Sequence, residues 1–520
     1  MSGPAATRSG AALTALLALG ALAVVLAVTT SPVFDLDRHA VPKELILHVT
    51  ALFGLAVMLP HWRRVDTGVV EWLLALYVAW SAVSAAFATN HWLALRSFGV
   101  TFSGFVVFFM ARSARRDGFG WAVVVALAFA ATIGALTGLL QAYGLDWDLL
   151  RGERAPGGTF GNRNFLAHFT VIAMPVAGVV TLCARRKVVA GAGLVALVLL
   201  TSAVVLTRSR AAWLAGFVML AVVGLSAWRA LRAGAIARAR ASAVAIGLAM
   251  GTLAALALPN RLDWRSGSPY RDSIAGLVNY QEGSGRGRLI QYRNTLRLVL
   301  HDPVFGTGPG NWMIKYPLVT QPGDPSYSGA DPIPTNPWPS SDWMATLSER
   351  GVIGVALLLL FGLSAAVVAF RRLRDPGHAP YAIAALGILA ATFITGLFDA
   401  VLLLAPPTLF VFAALGALLP ETGVVFARPL ETRQRRVATA AAFGLSLLLA
   451  ASSSMQFIAV VATQEGRTRA VLERAIRWDP GNHRLHLLLA MRGAGCGHAR
   501  AAARLLPFHQ YPKRLVARCR

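Results

Sequence analysis

The residues best suited to chemistry are arginines, with a few carboxylates and asparagines, in four short stretches. These are GTFGNRNFLAHF at 158–169, LTRSRAAW at 206–213, GRGRLIQYRNTLRLVL at 285–300 and SSDWMATLSERGVIG at 340–354. Guanidinium groups are planar forks that keep their proton and bind two oxygens at once, so a group of them suits a diphosphate. Arg163, Arg210, Arg288 and Arg293 are candidates for that role, with Arg96, about a turn inside an apolar run. Arg210 opens another such run, where a helix N-terminus adds its own donors for phosphate. Asn162 and Asn164 flank Arg163 in a glycine-rich turn and can cap a helix or donate to an anion. Any one arginine at a membrane boundary also reads as a snorkelling side chain. The grouping is what favours an anionic ligand.

Two carboxylates follow in the last stretch. Asp342 is the nearest candidate base, with the cap of the helix in WMATLSER as its plainer reading. Glu349 is about two helical turns further on, so both can line one face. It is a charge partner for one of the arginines or an ordinary helix end. His301 and His168 are weaker candidates, each with a structural alternative. The segment GTGPGNW at 306–312 lacks the lysine and hydroxyl of a phosphate loop and reads as a sharp turn after a helix. No HExxH, CxxC or paired carboxylates at metal-ligand spacing occur, so neither metal nor cofactor is expected.

Elements that position such residues must cross a membrane. The 520 residues are 56% hydrophobic and 14% charged, the composition of an all-α polytopic membrane protein. A formal charge of +25 would suggest nucleic acid in a soluble chain, but in a membrane chain the placement of each basic residue matters more. Apolar runs predict about twelve or thirteen spans, near 11–30, 42–60, 68–87, 92–111, 120–141, 165–183, 188–206, 211–228, 242–258, 350–370, 380–397, 400–420 and 437–461. The run at 11–30 is too long and continuous for a cleaved signal core and reads as the first span.

With the N-terminus in the cytoplasm every inward connection is basic, including Arg63 with Arg64, Arg112 with Arg115 and Arg116, and Arg371 with Arg372 and Arg374. The connection at 259–349 and the C-terminal tail then both face outward. The domains expected are a membrane domain over 1–461, with 259–349 as a lid containing one helix at about 286–300, and a helical tail over 462–520. The tail's AIRWDPGNHRLHLLLA resembles a tetratricopeptide join, too short to form a solenoid. On the oxidising side of the membrane Cys496 and Cys519 are able to pair; two free thiols is the alternative.

In this order the four stretches, the third extended through HDPVFGTGPGNW, resemble the O-antigen ligase and O-antigen polymerase superfamily over roughly residues 70–420. The resemblance implies a metal-independent, inverting glycosyltransferase of the periplasmic face of the bacterial inner membrane. Its donor would be an undecaprenyl-diphosphate-linked glycan, and its acceptor lipid A-core, another lipid-linked glycan or a protein hydroxyl. By position, Arg210 and Arg288 would bind the donor diphosphate, and Asn162 and Asn164 would form the family's GN-x-N turn. Ligases commonly carry His-Asn before the final Glu-x-Gly, and this chain has Ser340 and Ser341 there. The departure leaves the donor chemistry intact and opens the identity of the acceptor-activating base. Polymerase and protein O-oligosaccharyltransferase remain open beside ligase. A transporter is the alternative from another class, and it would require paired broken helices, of which only Pro406-Pro407 is a candidate.

Overall fold

The computed structural model describes residues 4–31, 33, 35–61, 64–264, 266–276, 283–327, 336–421, 423–429 and 431–519. Among them are 12 helices long and apolar enough to cross a membrane, so the chain is a multi-span helical membrane protein. They account for every expected span except 400–420. That stretch holds only Ala405–Leu418, a helix of 14 residues. At the usual helical rise it is roughly 21 Å long, short of a bilayer's hydrocarbon core.

Protein surrounds Ala405–Leu418, which is buried at every position, so its length need not match lipid. Its neighbours come close because facing residues are small: a Cβ on Gly416 would collide with the Phe108 carbonyl. Both ends are closed by charged side chains. At one, the Asp342 carboxylate accepts the N–H groups of Val401 and Leu402 at 2.9 and 3.0 Å. At the other, the Arg112 guanidinium donates to the carbonyls of Leu419 and Pro420, and to Glu71 Oε1 at 2.6 Å. The last turn of a helix leaves carbonyls without intrahelical partners, and Arg112 supplies donors just beyond it.

Arg112, counted by sequence among the basic residues of an inward connection, is buried in an ion pair with Glu71. A second unexpected feature joins two connections on that side: Arg64–Thr67 and Phe426–Pro429 form an antiparallel pair of short strands, with Trp72 stacked on Phe426. Arg63 lies outside the described residues.

The expected lid helix is present as Gly283–His301. Its polar residues Gln291, Asn294 and Thr295 are buried, while Leu289, Leu296 and Leu300 are exposed. That inverted pattern suits a helix whose apolar edge meets lipid. Parts of the expected lid, 265, 277–282 and 328–335, lie outside the described residues. Among the described residues the tail holds four short helices, Arg469–Trp478, His483–Met491, Cys496–Leu505 and Gln510–Ala517, where two or three are expected. Cys496 and Cys519 form a disulfide.

Candidate functional site

The helix Asp342–Arg371 is broken at Gly351, where φ is 68° and ψ is -173°. That conformation is open essentially only to glycine. A Cβ there would collide with the Val304 carbonyl. The break seats the turn around GTGPGN. Thr307 and Gly308 donate N–H bonds to the carbonyls of Ser348 and Glu349, and Val352 donates to Pro303. Ser84 Oγ lies 2.7 Å from the carbonyls of both Phe305 and Glu349, and Asn311 exchanges bonds with the backbone of Asn90. The GTGPGN turn is thus packed onto the membrane helices through its own backbone and the Asn311 side chain.

The charges in SERG stay together. Arg350 is buried and donates to Ser81, Thr101 and Glu349, the last at 3.3 Å. The charge partner of Glu349 is thus its chain neighbour rather than an arginine of the other stretches. The backbone amides of Gly310 and Trp312 face the same carboxylate.

A cluster of arginines gathers around the start of Arg163–Cys183 and of Arg210–Arg232. Asn162 caps the first helix, accepting from the Asn164 N–H at 2.9 Å, and so fixes the backbone on either side of Arg163. Arg154, Arg208 and Arg210 lie within electrostatic reach of Arg163. His168, further along the same helix, approaches Ser209 Oγ at 3.5 Å and has Arg288 and Asp399 as charged neighbours. Arg208 bonds Ser273 and lies 4.6 Å over the Trp264 ring, and Arg210 donates to the Gly276 carbonyl at 2.5 Å. Arg163 Nε and Arg288 Nε are buried and have no hydrogen-bond partner among the described residues. Four of the predicted residues, Arg163, Arg210, Asn162 and Asn164, thus meet at one place, and Arg288 stands beside His168.

Arg96 and Arg293 do not join them. Arg96 makes a bidentate pair with Glu44 at 2.7 and 3.1 Å, with Asp37 at 3.6 Å, inside a cavity of about 130 Å³ that Glu349 also lines. Arg293 is exposed.

Asp342 is buried and does not line that cavity. It is the first residue of its helix, whose cap is the Ser341 hydroxyl, and its oxygens hold the turn before Ala405–Leu418. Ser340 is fixed through its backbone, its N–H donating to Gln291 Oε1 and its carbonyl facing Tyr292 OH, both at 2.6 Å. The residue that sequence reasoning passed over is Asp399. Its Oδ2 is 3.8 Å from His168 Nδ1, and its side chain is 13% exposed. The available signal was a lone carboxylate between two apolar runs, where an ionisable group is a functional candidate by default.

Residues 195–359 match the family model described as O-antigen ligase. The chain carries an O-antigen ligase family domain. No curated protein matches the chain. The O-antigen ligase match takes in Arg208, Arg210, Arg288, the GTGPGN turn and the kinked SERG helix. Arg163, His168 and Asp399 come from outside the matched O-antigen ligase segment and complete the cluster. Among the described residues no group of His, Cys, Asp or Glu is placed to hold a metal ion.

Proposed function

We propose that the protein transfers a glycan from an undecaprenyl-diphosphate donor to an acceptor hydroxyl, with inversion, at the periplasmic face of the bacterial inner membrane. The observation that carries this reading is a pair of buried, unpartnered guanidinium nitrogens, one on Arg163 within a cluster of like charges and one on Arg288 near His168. Gathering more cations than carboxylates is unfavourable unless an anion enters. A diphosphate lying along Arg163, Arg210 and Arg288 supplies that anion.

In the transfer step the acceptor oxygen forms a bond to the anomeric carbon from the face opposite the diphosphate. The bond from that carbon to the phosphate oxygen breaks, and its electron pair leaves with the lipid diphosphate. Arginines already in place neutralise the charge that grows on the leaving oxygen, the role a metal ion plays elsewhere. The acceptor proton goes to a carboxylate. Asp399 is the best placed, because its Oδ2 faces His168 near Arg288 and it keeps partial exposure while its Oδ1 accepts the Ala400 N–H, whereas both oxygens of Asp342 accept backbone N–H groups. Asn162 and Asn164 shape the turn that presents Arg163.

The periplasmic assignment is supported by the basic residues at 185–187, 371–374 and 433–436 on the opposite side, and by the Cys496–Cys519 disulfide, which suits an oxidising compartment. Ser340, standing where ligases carry histidine, favours a polymerase acceptor, another lipid-linked glycan, over lipid A-core.

The test uses purified protein with a labelled undecaprenyl-diphosphate oligosaccharide. Extension of the donor alone marks a polymerase, and transfer only on addition of lipid A-core marks a ligase. Arg163→Ala and Arg288→Ala are expected to weaken donor binding, and Asp399→Asn to lower turnover at unchanged donor binding. Donor binding that is unaltered in both arginine variants would sink the diphosphate site.

A further inference from the structure

The cavity that holds Arg96 lies apart from the arginine cluster, and its walls come from three parts of the chain, of which the connection at 259–349 gives Gly310, Met313 and Trp338. A second wall belongs to the membrane helices, with Ser97, Gln456 and Trp92, and a third to the tail, with Asp479, Asn482 and His483. The tail is seated firmly there. Trp92 Nε1 donates to Asp479 at 2.8 Å, Arg484 reaches Asp37 at 3.2 Å, and a Cβ on Gly481 would collide with the Trp92 ring. Further along the tail, Asn90 donates to the Leu505 carbonyl and His509 lies 2.9 Å from the Met313 carbonyl.

Two buried polar side chains in these walls have unmet hydrogen-bonding capacity. Neither ring nitrogen of His483 has a partner among the described residues, and Gln456 Oε1 has none either, although each residue is only 5% exposed. Leaving such groups unpaired costs about 1–3 kcal/mol each, so a site that keeps two of them is shaped for something that supplies the bonds. Burial, reinforced by Arg484, pushes the His483 pKa well below its ordinary range. The neutral ring therefore presents one donor and one acceptor.

The charge balance selects the ligand class. With Glu349 paired to Arg350, the remaining carboxylates Asp37, Glu44 and Asp479 still outnumber Arg96 and Arg484, and Arg96 is already matched by Glu44 and Asp37. A diphosphate would be repelled. An uncharged, hydroxyl-rich ring fits, since hydroxyls both donate to carboxylates and accept from imidazole. Trp92 and Trp338 offer it apolar faces. The cavity volume of about 130 Å³ is roughly ten times what a single water requires.

We propose that this cavity is a saccharide-binding subsite for the acceptor, built jointly by the membrane domain and the tail, with His483 and Gln456 reading sugar hydroxyls. The turn at 399–404 links it to the donor side: Asp399 faces His168 at one end, and Leu403 and Leu404 line the cavity at the other. The inference rests on the transferase reading for the sugar's role as acceptor, but not for its binding.

Saturation-transfer NMR of the full-length protein in nanodiscs, with a panel of uncharged methyl glycosides and disaccharides, tests it without any donor. Signal transfer to at least one sugar is expected. It should fall at least fivefold in His483→Phe and Gln456→Leu, and in Ser97→Leu, which narrows the cavity from the membrane side. Arg163→Ala and Arg288→Ala should keep it, so that failure of the donor site and failure of this one are read separately. An unchanged tryptophan emission spectrum reports that the tail remains seated on Trp92. Absence of transfer to every sugar, equal transfer in the three cavity variants, or displacement of the sugar by inorganic diphosphate would each overturn the proposal.

Discussion

Asp342 separates structural from chemical readings of the SSDW segment, and its replacement by asparagine has a calculable consequence. Its carboxylate accepts Val401 N–H at 2.9 Å and Leu402 N–H at 3.0 Å, the latter shared between both oxygens. Asparagine keeps one acceptor oxygen and turns an amide NH₂ toward an N–H. With its oxygen at the Oδ1 position the amide still accepts both N–H groups, but its NH₂ replaces the Oδ2 that also faced Leu402 N–H and sets donor against donor in a buried site, which costs about 1–3 kcal/mol. Removing a general base, by contrast, lowers turnover by roughly 10²–10⁴-fold and leaves stability near its starting value. Detergent-titrated unfolding in mixed micelles, followed by tryptophan fluorescence, measures the first effect, and transfer per folded molecule measures the second. Asp342→Asn is expected to lose about 1–3 kcal/mol and to retain turnover within tenfold once folded. Unchanged stability with turnover lost would refute the assignment of Asp342 to the turn and return it to catalysis.

The packing fixes three further outcomes. Gly351→Ala drives a Cβ into the Val304 carbonyl at a positive φ, so it should lose about 1–3 kcal/mol from backbone strain alone, measured by the same unfolding titration. Its control is Gly362→Ala in the same helix, which has open space around it and should be neutral or slightly stabilising. Arg112→Leu leaves Glu71 buried and unpaired; it should cost about 3–5 kcal/mol, and Glu71→Gln in that background should recover part of it. Cys496→Ser opens a loop of sequence separation 23. On chain-entropy grounds this loosens the tail by about 3 kcal/mol and should appear as faster proteolysis between 496 and 519.

The spans were legible in the sequence because in lipid every backbone group must be satisfied within a helix, and length and apolarity record that directly. The exception, Ala405–Leu418, escaped because protein surrounds it, and nothing in the chain states which apolar run will be enclosed by others. The burial of Arg112 was hidden for the same reason: a basic residue at the end of an apolar run gives no sign of the carbonyls of Leu419 and Pro420 that meet it. The arginine stretches were legible as chemistry because guanidinium on the outward side has few bland explanations. Their sorting was not. Arg96 belongs with Glu44, 52 residues away in sequence, and Arg163 belongs with Arg208 and Arg210 at the junction of two other helices.

The two carboxylates of DWMATLSER show where spacing ceases to inform. Seven residues return to the same face of a helix, which predicts a common pocket, but they also advance about 10 Å along its axis. Over that distance the neighbours change, so Asp342 meets the amides of Val401 and Leu402 while Glu349 meets those of Gly310 and Trp312. Residue type and interval determine what a side chain can do; the segment that folds against it determines what it does. Asp399 makes the converse point. It has neither motif nor spacing to commend it, and it becomes the preferred base because Arg163–Cys183 brings His168 to within 3.8 Å of it. If the acceptor proton is taken there, the serines at the ligase histidine position are not a defect in the site. They mark a helix start tied to Gln291 and Gly396, leaving proton transfer to a carboxylate on the other side of the same turn.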